Sequence, residues 1–208
     1  MTSAPTGAHD ELERPDLAAL VRVLASHAPA HPELPAELAA LRAAAVLVPI
    51  VPRPAGLGLL FTQRHADLRT HSGQISFPGG KIDPTDANPI AAALREAEEE
   101  TGIDPRTVRV LGRLGEVPTP TGFIITPIVG LVSPAPTVFR PSEREVAEVF
   151  EVPIQQLRDP ALFEDRGSVS KWGVTYRMCA YKPDGRNIWG ATARMVHELL
   201  ELWPVAGG

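Results

Sequence analysis

Three glutamates grouped within five residues are the side chains of this sequence best suited to chemistry. Glu96, Glu99 and Glu100 stand at positions i, i+3 and i+4, so a helix would place their carboxylates on one side. Like charges at these spacings destabilise an isolated helix by about 0.2–0.5 kcal/mol per pair, and the helix macrodipole disfavours anions near its C-terminal end. Arg95 offsets part of this cost through an i, i+4 pair with Glu99. A divalent cation would offset far more, because Mg²⁺ and Mn²⁺ prefer carboxylate oxygens.

The segment ahead of the acidic run bears on whether it is a metal site. Taken alone, such a run indicates a solvated helix face. It is preceded, however, by the turn sequence Phe77-Pro78-Gly79-Gly80. Proline stiffens the backbone, and glycines allow it to approach an ion or a phosphate closely. We therefore predict that Gly79 and Gly80 border the site formed by the glutamates.

The helix that carries the glutamates is predicted over residues 87–102. Small and apolar residues recur along it at i, i+3, i+4, i+7 and i+11: Ile90, Ala93, Leu94, Ala97 and Thr101. A stripe of this period packs a helix against a sheet. The glutamates lie to one side of the stripe, so they are expected at the edge of the packed surface.

The other predicted elements are mostly strands, separated by many of the 22 prolines. Apolar runs predict strands over residues 43–51, 57–64, 108–115, 123–132, 146–152 and 169–181, the last interrupted by Gly173. Helices are predicted over residues 16–27 and 192–203, with a short helix before residue 41 and a helical turn near Pro153. This mixture indicates the α/β class, with helices on the faces of a mixed sheet. We predict a mobile tail over residues 1–15, a helical extension over 16–42 and one catalytic domain over 43–204.

Composition narrows the class of partner and the compartment. The 208 residues include 20 Lys and Arg against 25 Asp and Glu, a net charge of −5 that argues against binding nucleic acid or anionic membranes through bulk charge. No run of about 18 uncharged apolar residues predicts a membrane span. Cys179 is the only cysteine, so an internal disulfide is excluded. These features predict a soluble cytoplasmic protein.

The acidic helix also carries a family resemblance. Residues 95–103 read R-E-A-E-E-E-T-G-I and match every fixed position in the second half of the Nudix box, G-x(5)-E-x(7)-R-E-U-x-E-E-x-G-U, where U is apolar. The first half departs from the pattern: the segment from Gly80 to Arg95 is one residue longer, and Asp86 or Asp83 replaces the upstream glutamate. The resemblance implies a Nudix α/β/α sandwich that hydrolyses a nucleoside diphosphate derivative by attack of water on phosphorus.

The same resemblance implies roles for individual residues. The implied metal ligands are carboxylates and one carbonyl, from Glu96, Glu100, Glu99 and Gly80, holding Mg²⁺ or Mn²⁺. Arg95 is expected to orient the carboxylates rather than to contact substrate. Two possibilities remain for the general base, either a glutamate of the box or Glu145, which lies at the start of a predicted strand.

The segment upstream of the box narrows the implied substrate. Residues 59–65 (LLFTQRH) and 68–74 (LRTHSGQ) resemble the signature of the coenzyme A pyrophosphatase branch, with His65 where serine or alanine is more usual. Residues 145–150 and 188–193 resemble the same branch more weakly. That branch cleaves coenzyme A to 3′,5′-ADP and 4′-phosphopantetheine. Arg64, Arg69 and His71 are the candidate contacts for its phosphates, including the 3′-phosphate, beside Gly79 and Gly80.

Two other functions remain open on the sequence. A Nudix pyrophosphatase could act on ADP-ribose, NADH or a damaged nucleotide instead. A Nudix fold could also bind a nucleotide without catalysis and regulate another process. The displaced Asp86 favours this last function, whereas the intact glutamates argue against it, because a sensor has no need for a cluster with their electrostatic cost.

Overall fold

The computed structural model describes residues 14–29, 41–66, 73–136, 138–171 and 174–203. The described helices are α1 (Pro15–Ser26), α2 (Pro89–Thr101), α3 (Ile154–Leu157) and α4 (Gly190–Leu202). The described strands are β1 (Arg42–Arg53), β2 (Gly56–Arg64), β3 (Ile75–Ser76), β4 (Gly79–Lys81), β5 (Val108–Arg113), β6 (Val117–Pro118), β7 (Phe123–Val132), β8 (Val146–Pro153), β9 (Phe163–Lys171), β10 (Val174–Tyr181) and β11 (Ile188–Trp189). Residues 1–13 of the predicted tail, and the short helix predicted before residue 41, lie outside the described residues.

An eight-stranded mixed sheet forms the centre of the fold. Strand β1 runs parallel to β7 and antiparallel to β2 and β4. Strand β7 also pairs with β5 and β6, and β2 pairs with β3 and β8. A smaller antiparallel sheet has the order β11-β10-β9. The predicted α/β fold, with a mixed sheet between helices, is confirmed.

The two faces of β1 explain the layering. Successive side chains of a strand point to opposite faces. Ala45 and Leu47 pack with α2, whereas Val46, Val48 and Ile50 pack in the core that α1 and α4 share. Because both faces are covered, the strand reads as an unbroken apolar run.

Helix α2 has well-defined ends that fix where its glutamates lie. The side chain of Asn88 accepts a hydrogen bond from the Ala91 N–H at 3.0 Å, which caps the N-terminus. Gly102 ends the helix in the left-handed region at φ 73°, and its N–H donates to the Glu98 carbonyl. The buried stripe includes Ala93 and Ala97, as the sequence predicts.

Helix α1 packs into the main core. Leu17, Leu20 and Leu24 are buried there, and the indole Nε1 of Trp203 donates to the Asp16 carbonyl at 3.0 Å. The separate helical extension over residues 16–42 and the catalytic domain over 43–204 stay predictions.

One strand prediction is wrong. Residues 169–181 were expected to form a single interrupted strand, but they belong to two antiparallel strands, β9 and β10, which pair Ser170 with Thr175 and Val169 with Tyr176. The short strands β3, β4, β6 and β11 were not predicted, because two or three residues show no periodicity. No helix among the described residues combines the length and the hydropathy needed to cross a membrane.

Candidate active site

Strand β4 brings the two glycines of the turn against helix α2. Gly79 and Gly80 pair with Val46 and Ala45 of β1, on which α2 also packs. A Cβ atom on Gly79 would lie 2.6 Å from the Val46 Cα, and a Cβ on Gly80 would lie 2.6 Å from the Glu96 carboxylate. An alanine at position 79 would meet backbone atoms, whereas an alanine at position 80 would meet the end of the Glu96 side chain, which lies directly on the strand backbone.

Glu100 is the buried carboxylate of the site. The residue is only 7 % exposed, and its Oε2 accepts a hydrogen bond from the Gly79 N–H at 3.2 Å. The pKa of Glu100 is raised to about 7, chiefly by burial; the charges of Glu96 and Glu145 also raise it, whereas the Gly79 N–H and Arg64 oppose the shift. Because its ionised form is poorly solvated, Glu100 would be stabilised by a nearby cation.

Glu96 shares this environment. Burial raises its pKa, Arg95 lowers it, and the charges of Glu99 and Glu145 add to the increase. Glu96, Glu100 and Glu145 therefore form one group of mutually repelling carboxylates, although Glu145 lies on a different segment. Glu99 stands apart, with a side chain that is 61 % exposed.

Arg95 holds several of the acidic groups in place. Its Nε and Nη2 donate to the two oxygens of Asp86, at 3.1 and 2.9 Å. Its Nη1 donates to Glu96 at 2.9 Å and lies 3.4 Å from Glu99, so the i, i+4 pair expected from the sequence is present. The same guanidinium also donates to the Lys81 carbonyl of β4 at 3.2 Å. Arg95 thus joins the helix, the strand and the loop between them.

Asp86 is the loop residue that fixes Arg95. Its side chain is 6 % exposed, and its Oδ2 accepts from the Asp83 N–H at 2.8 Å. The hydrogen bonds from Arg95 and from this N–H hold its pKa below the usual range. Of the two aspartates in place of the upstream glutamate, Asp86 is therefore the close partner, since Asp83 lies 3.7 Å from Arg95.

We expect Asp86→Asn to lower kcat about tenfold, because one charge-assisted hydrogen bond is worth about 1.5–3 kcal/mol and its loss would let Arg95 shift toward Glu96. Steady-state kinetics at saturating substrate would measure this change. The matched control is Asp83→Asn, at an exposed side chain, for which less than about a twofold change is expected. Equal losses in the two variants would contradict the role given to Asp86.

The segment between β7 and β8 caps the C-terminal end of α2. The N–H groups of Arg140 and Ser142 donate to the carbonyls of Thr101 and Glu100, at 2.9 and 3.2 Å. These carbonyls have no partner within the helix, so the segment satisfies them. The sequence does not predict this contact, because backbone groups make it and residue types carry no signal of it.

The same segment delivers Glu145 to the site. The Glu145 carbonyl accepts from the His65 N–H at 3.2 Å, and the His65 Nε2 lies 3.1 Å from the Glu143 carbonyl. Arg64 lies between two carboxylates, with Nη1 3.7 Å from Glu100 and Nη2 3.5 Å from Glu145. The structure therefore places Arg64, Glu145, Gly79 and Gly80 together with Glu96 and Glu100 of α2, whereas Glu99 lies at the exposed edge beside Arg95. Arg69 and His71 lie outside the described residues.

The carboxylates fit a divalent cation by their chemistry and by their surroundings. Glu96 faces the space left by Gly80, and Glu100 is a buried carboxylate with one oxygen fixed by Gly79. Hard oxygen donors of this kind suit Mg²⁺ or Mn²⁺. Within the described ranges, no three carboxylate, imidazole or thiol side chains are already gathered into a ligand set.

Comparison with known proteins identifies the family. The NUDIX domain model matches residues 41–173. An uncharacterized Nudix hydrolase NudL from Escherichia coli strain SMS-3-5 is 45 % identical over 168 residues, which are 81 % of this chain and 86 % of the relative. The NudL protein of Salmonella paratyphi B is 44 % identical over the same shares. The crystal structure of a Nudix hydrolase from M. smegmatis, RenU, covers 57 % of this chain and 74 % of its own, with 28 % identity and a TM-score of 0.48. This chain belongs to the Nudix hydrolase family.

Proposed function

We propose that this Nudix hydrolase cleaves the pyrophosphate bond of coenzyme A to 3′,5′-ADP and 4′-phosphopantetheine. Members of the family act on small nucleotide derivatives and generally use divalent metal ions. The observation that carries the hydrolytic part is the convergence of Glu96 and Glu100 on Gly79 and Gly80. The coenzyme A part rests on the upstream sequence that ends in the Phe77-Pro78-Gly79-Gly80 turn. The lone Cys179 is consistent with a reducing, cytoplasmic location.

In this proposal the chain holds Mg²⁺ or Mn²⁺ with Glu96, Glu100, Glu99 and the Gly80 carbonyl. When bound, the ion neutralises phosphate charge and lowers the pKa of a coordinated water. Arg95 keeps the Glu96 carboxylate turned toward Gly80, and Asp86 holds the Arg95 guanidinium group in place. The Gly79 N–H holds one Glu100 oxygen against strand β4 through a hydrogen bond. These contacts orient the oxygens before substrate arrives.

Glu145 is the general base in this proposal. Its side chain is 54 % exposed and lies on the opposite side of Arg64 from Glu100, so it is open to water. Glu100 is buried and Glu99 pairs with Arg95, which leaves both less suited to accept a proton from water. Among the described residues, Arg64 is the one side chain that pairs with the Glu145 carboxylate, which is therefore free to rotate after it receives the proton.

Product identification tests the function directly. Purified protein would be incubated with coenzyme A, ADP-ribose, NADH and dinucleotides, with Mg²⁺, with Mn²⁺ or with a chelator, and the products separated by chromatography. We expect 3′,5′-ADP from coenzyme A and no turnover after chelation. A preference for ADP-ribose or NADH would show that coenzyme A is not the main substrate. Nucleotide binding without any product would instead support the regulatory function.

The 3′-phosphate gives a sharper expectation about the substrate. If Arg69 or His71 binds it, dephospho-coenzyme A should have a kcat/KM lower by about 10- to 150-fold, the effect of losing one charge-assisted hydrogen bond to phosphate. Arg69→Ala should narrow this ratio, because it harms turnover of coenzyme A more than that of the dephosphorylated compound. Equal rates of the wild-type protein on the two compounds would exclude recognition of the 3′-phosphate.

A further inference from the structure

Two arginines divide the carboxylates of the site between them. Arg95 pairs with Asp86, Glu96 and Glu99 on one side. Arg64 pairs with Glu100 and Glu145 on the other, and in the part of the chain that the structure describes it is the cationic partner of both. The two groups differ in distance: Arg95 makes contacts at 2.9 Å, whereas both contacts of Arg64 are at 3.5 Å or longer. Arg64 is therefore the more loosely held cation.

The free oxygen of Glu100 is the one that Arg64 faces. Oε2 of Glu100 is fixed by the Gly79 N–H, while Oε1 lies 3.7 Å from the Arg64 Nη1. Because Oε1 accepts no hydrogen bond from a described residue, it is the more available oxygen for a divalent ion, and the charge of that ion would repel a guanidinium only a few ångströms away. The ion and Arg64 therefore compete for one position.

We infer that Arg64, which lies between Glu100 and Glu145, is a positioning residue that occupies the place of the divalent ion beside Glu100 until the ion displaces it. The inference rests on the proposed function, because it assumes a metal-dependent site at α2. In the metal-free protein Arg64 limits the repulsion between a buried and an exposed carboxylate. When the ion enters, it takes over that role and frees the guanidinium. A planar guanidinium released at this point suits a phosphate of the substrate.

Mn²⁺ binding without nucleotide tests the competition. Free Mn²⁺ would be measured by electron paramagnetic resonance for the wild type, Arg64→Gln, Arg64→Lys and Arg144→Gln. We expect Arg64→Gln to bind Mn²⁺ about tenfold more tightly, because the ion no longer has to break two ion pairs. Arg64→Lys should stay within about twofold of the wild type, since it keeps the charge.

Arg144→Gln is the matched control, because it removes an exposed arginine that neighbours Glu145 in sequence and forms no ion pair with a described residue. Its Mn²⁺ affinity should also stay within about twofold of the wild type. Equal or weaker binding by Arg64→Gln would overturn the inference while leaving the proposed function intact. A wild-type protein that binds no Mn²⁺ would instead overturn both.

A measurement on the wild-type protein covers the case in which Arg64→Gln does not fold. Phenylglyoxal modifies free guanidinium groups, and mass spectrometry locates the modified residues. Adding Mg²⁺ should increase the modification of Arg64 severalfold and leave that of Arg106, whose side chain is 88 % exposed, unchanged. Unchanged or reduced modification of Arg64 would show that the ion does not displace it.

Discussion

Glu100→Gln is expected to abolish turnover while leaving the metal-free protein more stable. The proposed ion supplies several kcal/mol of transition-state stabilisation, so losing a ligand that holds it should lower kcat about a thousandfold or more. Stability should move in the opposite direction, because the folded protein raises the pKa of Glu100 from 4.5 to about 7. A carboxyl group of this kind contributes stability below its unfolded pKa and loses it as the pH rises through the folded pKa. The wild type should therefore lose up to about 3 kcal/mol between pH 4.5 and pH 7.

Urea denaturation in the presence of a chelator, at pH 5 and at pH 8, would measure this difference. Because Glu100→Gln lacks the ionisable carboxyl group, its urea midpoint should not change at this site between pH 5 and pH 8. At pH 8 its free energy of unfolding should exceed that of the wild type. Glu99→Gln serves as the control for stability, because that side chain is 61 % exposed and its removal relieves little burial cost. If Glu100→Gln were less stable than the wild type at pH 8, the ionised Glu100 would not lower the stability of the folded protein, which would contradict this prediction. Near-wild-type kcat in both Glu96→Gln and Glu100→Gln would contradict the metal site on α2.

Local patterns predict the longer elements of the fold well, including the helix that carries the glutamates. Strand β7 begins at Phe123 and ends at Val132, as expected from an apolar run that stops before a Pro-Ala-Pro segment. Helix α2 lies within the predicted range, since its stripe of small residues has a clear period and it is bounded by Asn88 and Gly102. In both cases the information is contained within a few turns of chain, which is the range over which periodicity operates.

Contacts between distant segments could not be predicted in this way. Arg64 and Glu145 are 81 residues apart, and their approach depends on the pairing of β2 with β8, which no local pattern specifies. The structure pairs Arg64 with two carboxylates, which the sequence does not predict, while its contact with substrate stays a prediction. The first part of β9 is not predicted for another reason: residues 164–168 read E-D-R-G-S, and a segment without a buried face has no alternation to detect.

The partner of Arg95 illustrates an intermediate case. The resemblance required an acidic residue before the helix, but the extra residue between Gly80 and Arg95 left two aspartates as candidates. Only the folded loop distinguishes them, because the Asp83 N–H turns back to Asp86 and presents that carboxylate to Arg95. In this chain the loop therefore selects Asp86 as the close partner of Arg95.

The two glycines of β4 should respond differently to the same substitution. Gly79→Ala places a Cβ 2.6 Å from the Val46 Cα, where only backbone could move, so the free energy of unfolding should fall by about 3 kcal/mol. Gly80→Ala places its Cβ 2.6 Å from the Glu96 carboxylate, the end of a side chain that can rotate away. Its stability should change by less than about 1 kcal/mol. Turnover should nevertheless fall about a hundredfold, because a displacement of about 1 Å is enough to misplace a catalytic group.

Urea denaturation and kcat measured on the same preparations separate the two effects, and each variant is the control for the other. Gly80→Ala adds one methyl group to the same strand as Gly79→Ala, so a general weakening of β4 would lower the stability of both. If Gly80→Ala keeps wild-type kcat, the Glu96 carboxylate is not needed where it lies, and the ligand assignment on α2 fails. If instead only Gly79→Ala loses stability and both lose turnover, the strand has two distinct tasks, with Gly79 allowing β4 to pair with β1 and Gly80 leaving room for the carboxylate that holds the ion.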